Sequence, residues 1–83
     1  DRVFTVSTLL PDRPGELVRV AKTIADMNGN VIRLDHNQFV NTNRNEGVEL
    51  RVTIEAYGTD HKNQIVAALE AAGFRPKLIQ AHL

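Results

Sequence analysis

The chain has 83 residues, of which 42% are hydrophobic, and its 10 Lys+Arg residues balance its 10 Asp+Glu residues. This length provides one small domain with a single thin core and excludes a multidomain enzyme within these residues. A net charge of zero argues against a nucleic-acid partner, because such binding needs an excess of Lys and Arg. Cysteine is absent, which excludes disulfide scaffolds, thiolate metal sites and cysteine nucleophiles.

The sequence carries no pattern for membrane insertion or export. No apolar run approaches the roughly 20 residues that span a bilayer, and the N-terminus lacks the pattern of a signal peptide. We therefore expect a cytoplasmic protein with no membrane partner. Because the chain begins and ends in strand-like patterns, we also expect residues 1–83 to be a single domain taken from a longer enzyme.

The first third of the chain predicts a strand followed by a helix. Residues 2–10 have apolar side chains on both faces of an alternating pattern, and several of them are β-branched. This pattern indicates a strand that is buried on much of both faces. Pro11 ends this strand, and Pro14 fits the first turn of the following helix. Apolar residues then recur at helical spacing from Leu17 onward. The helix is expected to end at Gly29, because glycine adopts the left-handed conformation that closes a helix.

The middle third predicts two strands joined by a polar loop. Side chains alternate between the two faces of a strand over Asn30–Val40, which places Ile32 and Leu34 on the same face. Residues 41–47 form a polar hairpin loop. Val48–Ala56 alternates most regularly, so one face of this sheet is expected to contact water.

The last third predicts a second helix and a final strand. Thr59 or Asp60 is placed to cap the helix, and Gly73 is placed to end it. Phe74–Ala81 reads as the last strand, and Pro76 within it favours a position at the edge of the sheet.

The order of these elements predicts a ferredoxin-like βαββαβ sandwich, an α+β fold. Two crossover helices obeying the right-handed rule cover the same face of a four-stranded antiparallel sheet. The first and third strands, which are the most apolar, are expected at the centre, with the second and fourth at the edges. The fold alone assigns no function, because it hosts proteins of many classes.

The loop before the first helix has the chemistry to bind a zwitterion. Free backbone N–H groups of Gly15, Glu16 and Leu17 at the helix start can hold a carboxylate, and Asp12 can accept from an ammonium group. A purely structural interpretation remains equally open, in which Asp12 caps the helix.

Asn30, at the far end of the first helix, is a second candidate ligand contact. Its carboxamide can present a carbonyl and an NH2 group together to a polar ligand, although a turn asparagine bonded to local backbone is the alternative. A helix of about 12 residues is about 18 Å long, so Asn30 and Asp12 of one chain lie too far apart to hold one small ligand. Two chains could bring them together.

Taken together, the Asp-Arg-Pro-Gly-Glu-Leu loop at 12–17, the Asn-Gly-Asn-Val-Ile junction at 28–32 and the βαββαβ order resemble the ACT domain family. The resemblance covers essentially the whole chain. It implies a domain that binds an amino acid effector at the interface of a homodimer or higher homo-oligomer and controls a linked catalytic domain. We expect the chains to associate through the Asn30–Val40 edge strand and the adjoining helix.

The resemblance also implies which residues contact the effector and which enzyme is controlled. The implied contacts are Asp12, Arg13, Gly15, Glu16 and Leu17 of one chain with Asn30, Val31 and Ile32 from the partner chain. Leu10 replaces a polar residue of serine-binding relatives, which favours a branched-chain effector. Asn30–Phe39 most resembles the C-terminal regulatory segment of threonine or serine dehydratases (ammonia-lyases). Pyridoxal phosphate then belongs to the catalytic domain, and this chain needs no cofactor.

Other functions were weighed against this hypothesis. His36, His61 and His82 lack the i, i+4 helical spacing that suits a metal, so packing roles are expected and no metal site is predicted. An architectural dimerisation domain without a ligand is the main alternative. A hydrolase of the acylphosphatase type shares the fold, but the chain lacks a glycine-rich anion loop after its first strand. The chain itself is therefore not expected to be an enzyme.

Overall fold

The computed structural model of the chain describes residues 2–11, 13–40 and 46–79. Its elements in chain order are β1 (Val3–Pro11), α1 (Glu16–Asp26), β2 (Asn30–Val40), β3 (Glu46–Glu55), α2 (Thr59–Ala71) and β4 (Lys77–Ile79). The strands form one antiparallel sheet in the order β2-β3-β1-β4. This arrangement confirms the ferredoxin-like prediction, including the central positions of β1 and β3.

The core lies between one face of the sheet and the two helices. Its buried side chains are apolar and come from alternate residues of the central strands, from one stripe of each helix, and from one residue after β3 and one after α2. They are Phe4, Val6, Leu10, Val20, Ile24, Leu50, Val52, Ile54, Ala56, Ile65, Leu69 and Phe74. The prediction for β3 is confirmed, since its inward residues are buried while Glu49, Arg51, Thr53 and Glu55 lie on the other face.

β1 is buried on one face, and the expectation of burial on both faces was wrong. Phe4, Val6 and Leu10 face the core, whereas Val3 is 52% and Leu9 is 66% exposed. The reason is that both helices pack on the same side of the sheet, so the described residues leave the opposite face uncovered. The strand also continues through Pro11, which pairs opposite Gly47.

The two ends of α1 differ from the predicted ones. Gly15, with φ +90°, occupies the N-cap position, and Pro14 lies in the turn before it rather than in the helix. At the other end, Asn28 takes the left-handed conformation with φ +64°. Gly29 is needed for space instead, because a Cβ there would lie 2.8 Å from Cγ2 of Ile24. The prediction of a helix end at this junction is confirmed, but its left-handed residue is Asn28.

β2 has the predicted bounds but not the predicted simple alternation. Val31 pairs opposite Ile54 and Arg33 pairs opposite Thr53, so Ile32 occupies a β-bulge between them. A bulge inserts one residue that has no partner in the ladder. Leu34 therefore resumes the inward face in register with Val52, and the sequence alternation could not show this shift.

The predictions of a second helix and a last strand are confirmed by α2 and β4, but both elements begin differently from the prediction. The N-cap position of α2 is Gly58, and neither Thr59 nor Asp60 makes a side-chain cap bond. Gly73, with φ +98°, follows the helix as predicted. The strand β4 begins at Lys77, later than the predicted Phe74, and Pro76 precedes it. Residues 80–83, like 41–45, lie outside the described part of the chain. Of the described helices, none is long and apolar enough to cross a membrane.

Candidate functional site

The predicted loop at the start of α1 is open and accessible. Gly15 is exposed, and a Cβ built on it would meet no atom within 4 Å. The N–H groups of Leu17 and Val18 find no acceptor among the described residues, whereas the N–H of Glu16 donates to Arg13 O over 3.4 Å. Open donors at a helix start attract anions, and carboxylate binding by this loop stays a prediction. Asp12 lies outside the described residues.

Glu16 serves chiefly to hold the loop onto the helix layer. Its Oε1 lies 3.0 Å from Nη1 of Arg19, and its Oε2 lies 3.8 Å from Nη2 of Arg13. Arg19 also donates to Ala72 O at 2.9 Å and lies 4.8 Å from the centre of the Phe74 ring. The carboxylate of Glu16 is thus already paired within the chain, and the backbone N–H groups are the open polar groups at this helix start. Leu17 is 37% exposed beside it.

The three predicted contact residues at the start of β2 differ in how exposed they are. Asn30 is exposed, and its Nδ2 donates to Oε1 of Glu55 over 3.3 Å. Val31 is half-buried and packs against the core, whereas Ile32 in the bulge is 51% exposed. Asn30 and Ile32 are therefore available for contacts outside the chain, and Val31 has a packing role.

The two predicted groups lie at opposite ends of α1 within one chain. The helix has 11 residues, which makes it about 16 Å long. The structure of one chain therefore does not bring Arg13 and Gly15 together with Asn30. A site containing both groups requires two chains, as the sequence indicated.

A polar pocket at the start of β2 was not predicted from the sequence. It encloses about 270 Å³ and is lined by Arg2, Asn28, Asn30, Glu55, Ala56 and Tyr57. A larger open groove of about 600 Å³ shares Asn28 and Tyr57 with it and continues along the start of α2. The register that places Asn30 opposite Glu55 creates the pocket, and no local sequence signal reports that register.

Of the three histidines, His61 has the contacts that the structure describes. It lies in the first turn of α2, where its Nδ1 accepts from the N–H of Tyr57 at 3.0 Å and its Nε2 is 2.6 Å from Met27 O. His36 is exposed on β2, and His82 lies outside the described residues. Within the described part of the chain, no group of three or more His, Asp or Glu side chains is placed to hold a metal ion.

Comparison with known proteins identifies neighbours in structure but not in sequence. No family model matches the sequence, and no curated protein matches it. The chain superimposes on prephenate dehydratase from Streptococcus mutans with a TM-score of 0.74 and 19% identity, over 94% of this chain and 41% of that one. Formyltetrahydrofolate deformylase from Pseudomonas putida gives a TM-score of 0.59 and 14% identity, over 95% of this chain and 29% of that one.

These neighbours establish the fold. At 19% and 14% identity the likeness is one of backbone arrangement, and the chain spans well under half the length of either matched protein. The βαββαβ order, the antiparallel sheet and the open loop before α1 agree with the arrangement expected from the sequence. The chain therefore has a ferredoxin-like α+β fold.

Proposed function

We propose that the chain is a regulatory domain that binds a free amino acid at an interface between two copies and so controls a linked amino-acid-metabolising enzyme. The observation that carries this proposal is the open start of α1, where Gly15 leaves the backbone accessible and Leu17 and Val18 offer unbonded N–H groups among the described residues. These donors suit the carboxylate of an amino acid. Asp12 supplies the acceptor for its ammonium group in the sequence-based hypothesis.

The surface of β2 and α1 supports association of two chains. β2 is an edge strand of the described sheet, and an uncovered edge readily pairs with another strand. Ile32 and Leu34 on this strand are 51% and 37% exposed, and Val18 on α1 is 66% exposed. Because α1 packs against β2, these apolar side chains border one side of the molecule. Pairing of two β2 strands would cover the edge and place Asn30 of one chain near the partner chain.

The parent enzyme is a finer part of the proposal. The matched prephenate dehydratase extends well beyond the 41% that this chain covers, which supports a domain linked to a larger enzyme. The segment from Asn30 to Phe39 resembles the regulatory segment of threonine or serine dehydratases. We therefore propose a pyridoxal-phosphate-dependent ammonia-lyase as the parent, with the cofactor in its catalytic domain. In this arrangement the present chain binds the amino acid without transforming it.

Titration of the purified chain tests the proposal directly. Each of the twenty proteinogenic amino acids is titrated by calorimetry, and the melting temperature is measured in parallel. At 100 times its dissociation constant a specific ligand adds about 2.7 kcal/mol of stability, which raises the Tm by roughly 10–20 °C for a domain of this size. If no amino acid changes the Tm beyond error while ultracentrifugation shows a dimer, the domain is architectural.

Mixed dimers test whether two chains share one site. Asp12→Ala and Asn30→Ala chains are combined, so that one site keeps both side chains and the other loses both. We expect half the wild-type stoichiometry at near-normal affinity. Loss of a charge-assisted bond at Asp12 should weaken binding roughly 10- to 150-fold, whereas loss of a helix cap alone lowers stability and preserves affinity. Two equally weakened sites would show that each chain binds with its own residues.

A further inference from the structure

The polar pocket beside Asn30 is built from three separate stretches of the chain. Arg2 precedes β1, Asn28 follows α1, Asn30 begins β2 and Glu55 ends β3. The N–H of Ala56 donates to Arg2 O at 2.6 Å, which fixes the start of β1 against the end of β3. The backbone on both sides of the pocket is therefore held in place before any ligand arrives.

Two opposite charges line this pocket without forming an ion pair. Among the described residues, Arg2 has no carboxylate within 4.0 Å, and Glu55 has the Asn30 carboxamide as its partner at 3.3 Å. Other exposed charges of the sheet behave differently, since Arg51 pairs with Glu49 over 3.1 Å. Both charged groups of the pocket thus remain available to a ligand that carries the complementary charges.

The Tyr57 ring forms an aromatic wall that the pocket and the larger groove share. The Tyr57 ring is 77% exposed and stacks on the His61 ring, with centroids 5.0 Å apart and planes 20° from parallel. His61 is itself held by the N–H of Tyr57 and the carbonyl of Met27. An aromatic side chain whose support is fixed presents apolar area at low entropic cost. The wall offers the apolar part of a ligand a surface next to the charged groups.

We propose that this pocket is a binding site for an amino acid zwitterion contained within one chain. The Arg2 guanidinium receives the α-carboxylate, since guanidinium and carboxylate match in geometry. Glu55 accepts from the ammonium group, and the ligand side chain lies along Tyr57 toward the larger groove. The ligand class rests on the proposed function, but the site is distinct from the loop before α1. Because Asn30 belongs to both, its bond to Glu55 couples the pocket to the interface.

Charge-removing variants of the full chain test this site. Arg2→Gln and Glu55→Gln are titrated with the twenty amino acids, with Arg75→Gln and Glu70→Gln as controls that make the same changes at exposed positions outside the pocket. Each pocket variant should weaken binding roughly 10- to 150-fold, and the controls should bind like wild type. The tightest amino acid is then compared with its decarboxylated amine. The Arg2→Gln change should not weaken binding of the amine, which lacks the carboxylate.

The outcomes separate this site from the shared interface. Binding that persists in diluted single chains at one ligand per chain, and that Arg2→Gln and Glu55→Gln weaken but Asp12→Ala does not, supports the pocket; a second binding event that needs the dimer and that Asp12→Ala weakens belongs to the interface. Binding that Asp12→Ala weakens while Arg2→Gln and Glu55→Gln match their controls overturns the pocket and preserves the proposed function. Absence of binding by all twenty amino acids overturns both.

Discussion

The two ends of β3 use their outward-facing glutamates differently. Glu49, near the loop before α1, accepts from the Ser7 hydroxyl at 2.8 Å and from Nε of Arg51 at 3.1 Å. Glu55, at the end that carries the polar pocket, accepts from the neutral Asn30 carboxamide over 3.3 Å. Both side chains lie on the same face of the same strand, so the partners rather than the strand determine the difference.

Glu49 and Glu55 therefore differ in how far the fold itself uses their carboxylates. The hydroxyl of Ser7, followed by Arg51, holds the pKa of the Glu49 carboxyl below its usual value. Glu49 is thus used within the fold, as Glu16 is in the loop. Glu55 and Arg2 at the other end keep their charges unpaired among the described residues. The proposed site for an amino acid uses these two charges.

The largest expected effect is on the free energy of unfolding, and it concerns the end of α1 nearer the pocket. Ile24 is fully buried near the end of α1, whereas Leu17 at its start is 37% exposed. Ile24→Ala should lower the free energy of unfolding by about 2–5 kcal/mol through the cavity it leaves, and Leu17→Ala by about 1 kcal/mol. Denaturant unfolding of both variants measures this. Equal losses would mean that the two ends of α1 are anchored alike.

A methyl group at Gly29 should disturb the pocket end by overpacking. The new Cβ would lie 2.8 Å from Cγ2 of Ile24 and 3.0 Å from Cδ1 of Ile65. We expect Gly29→Ala to lower stability by about 1–3 kcal/mol. The same change made together with Ile65→Val should add less destabilisation than it does alone, since that replacement removes the Cδ1 methyl. Strict additivity of the two changes would show that the Ile65 methyl takes no part in the crowding, which would then rest on Ile24.

The contacts of Arg19 make a smaller contribution at the loop end. Arg19→Met keeps much of the aliphatic stem but removes the bonds to Glu16 and Ala72 O and the contact with the Phe74 ring. We expect a loss of about 0.5–1.5 kcal/mol, measured by thermal unfolding. Arg75→Met, at another exposed position, is the matched control and should change stability by less than about 0.5 kcal/mol. If the two variants have the same Tm, the Arg19 contacts contribute nothing to the stability of the fold.

The smallest expected effect is the pH dependence due to Glu49. Its pKa is lowered in the folded state, so its stabilisation is present above the unfolded pKa and is lost as the pH falls through the folded pKa. Ser7→Ala removes the main cause of the shift. Wild type should therefore lose slightly more stability than Ser7→Ala between about pH 5 and pH 2, with a difference at neutral pH of about 0.5 kcal/mol or less. Parallel stability profiles for the two proteins would contradict this assignment.

The sequence by itself determined the fold and the exposed face of β3. Strict alternation over Val48–Ala56 and helical spacing after Leu17 each allow one regular structure with a buried face, and the order of elements then permits few topologies. The bounds of β2 follow from the same alternation. These features are local or follow from chain order, which is why they can be read without coordinates.

Only the tertiary structure decided which residues meet across the sheet. The bulge at Ile32 sets the register of β2, and with it the inward position of Leu34. The crowding at Gly29 depends on side chains from both helices, and the pocket between Arg2 and Glu55 depends on three stretches of the chain at once. Such features arise from packing between residues far apart in the chain, and a pattern along the sequence carries no information about the distance between them.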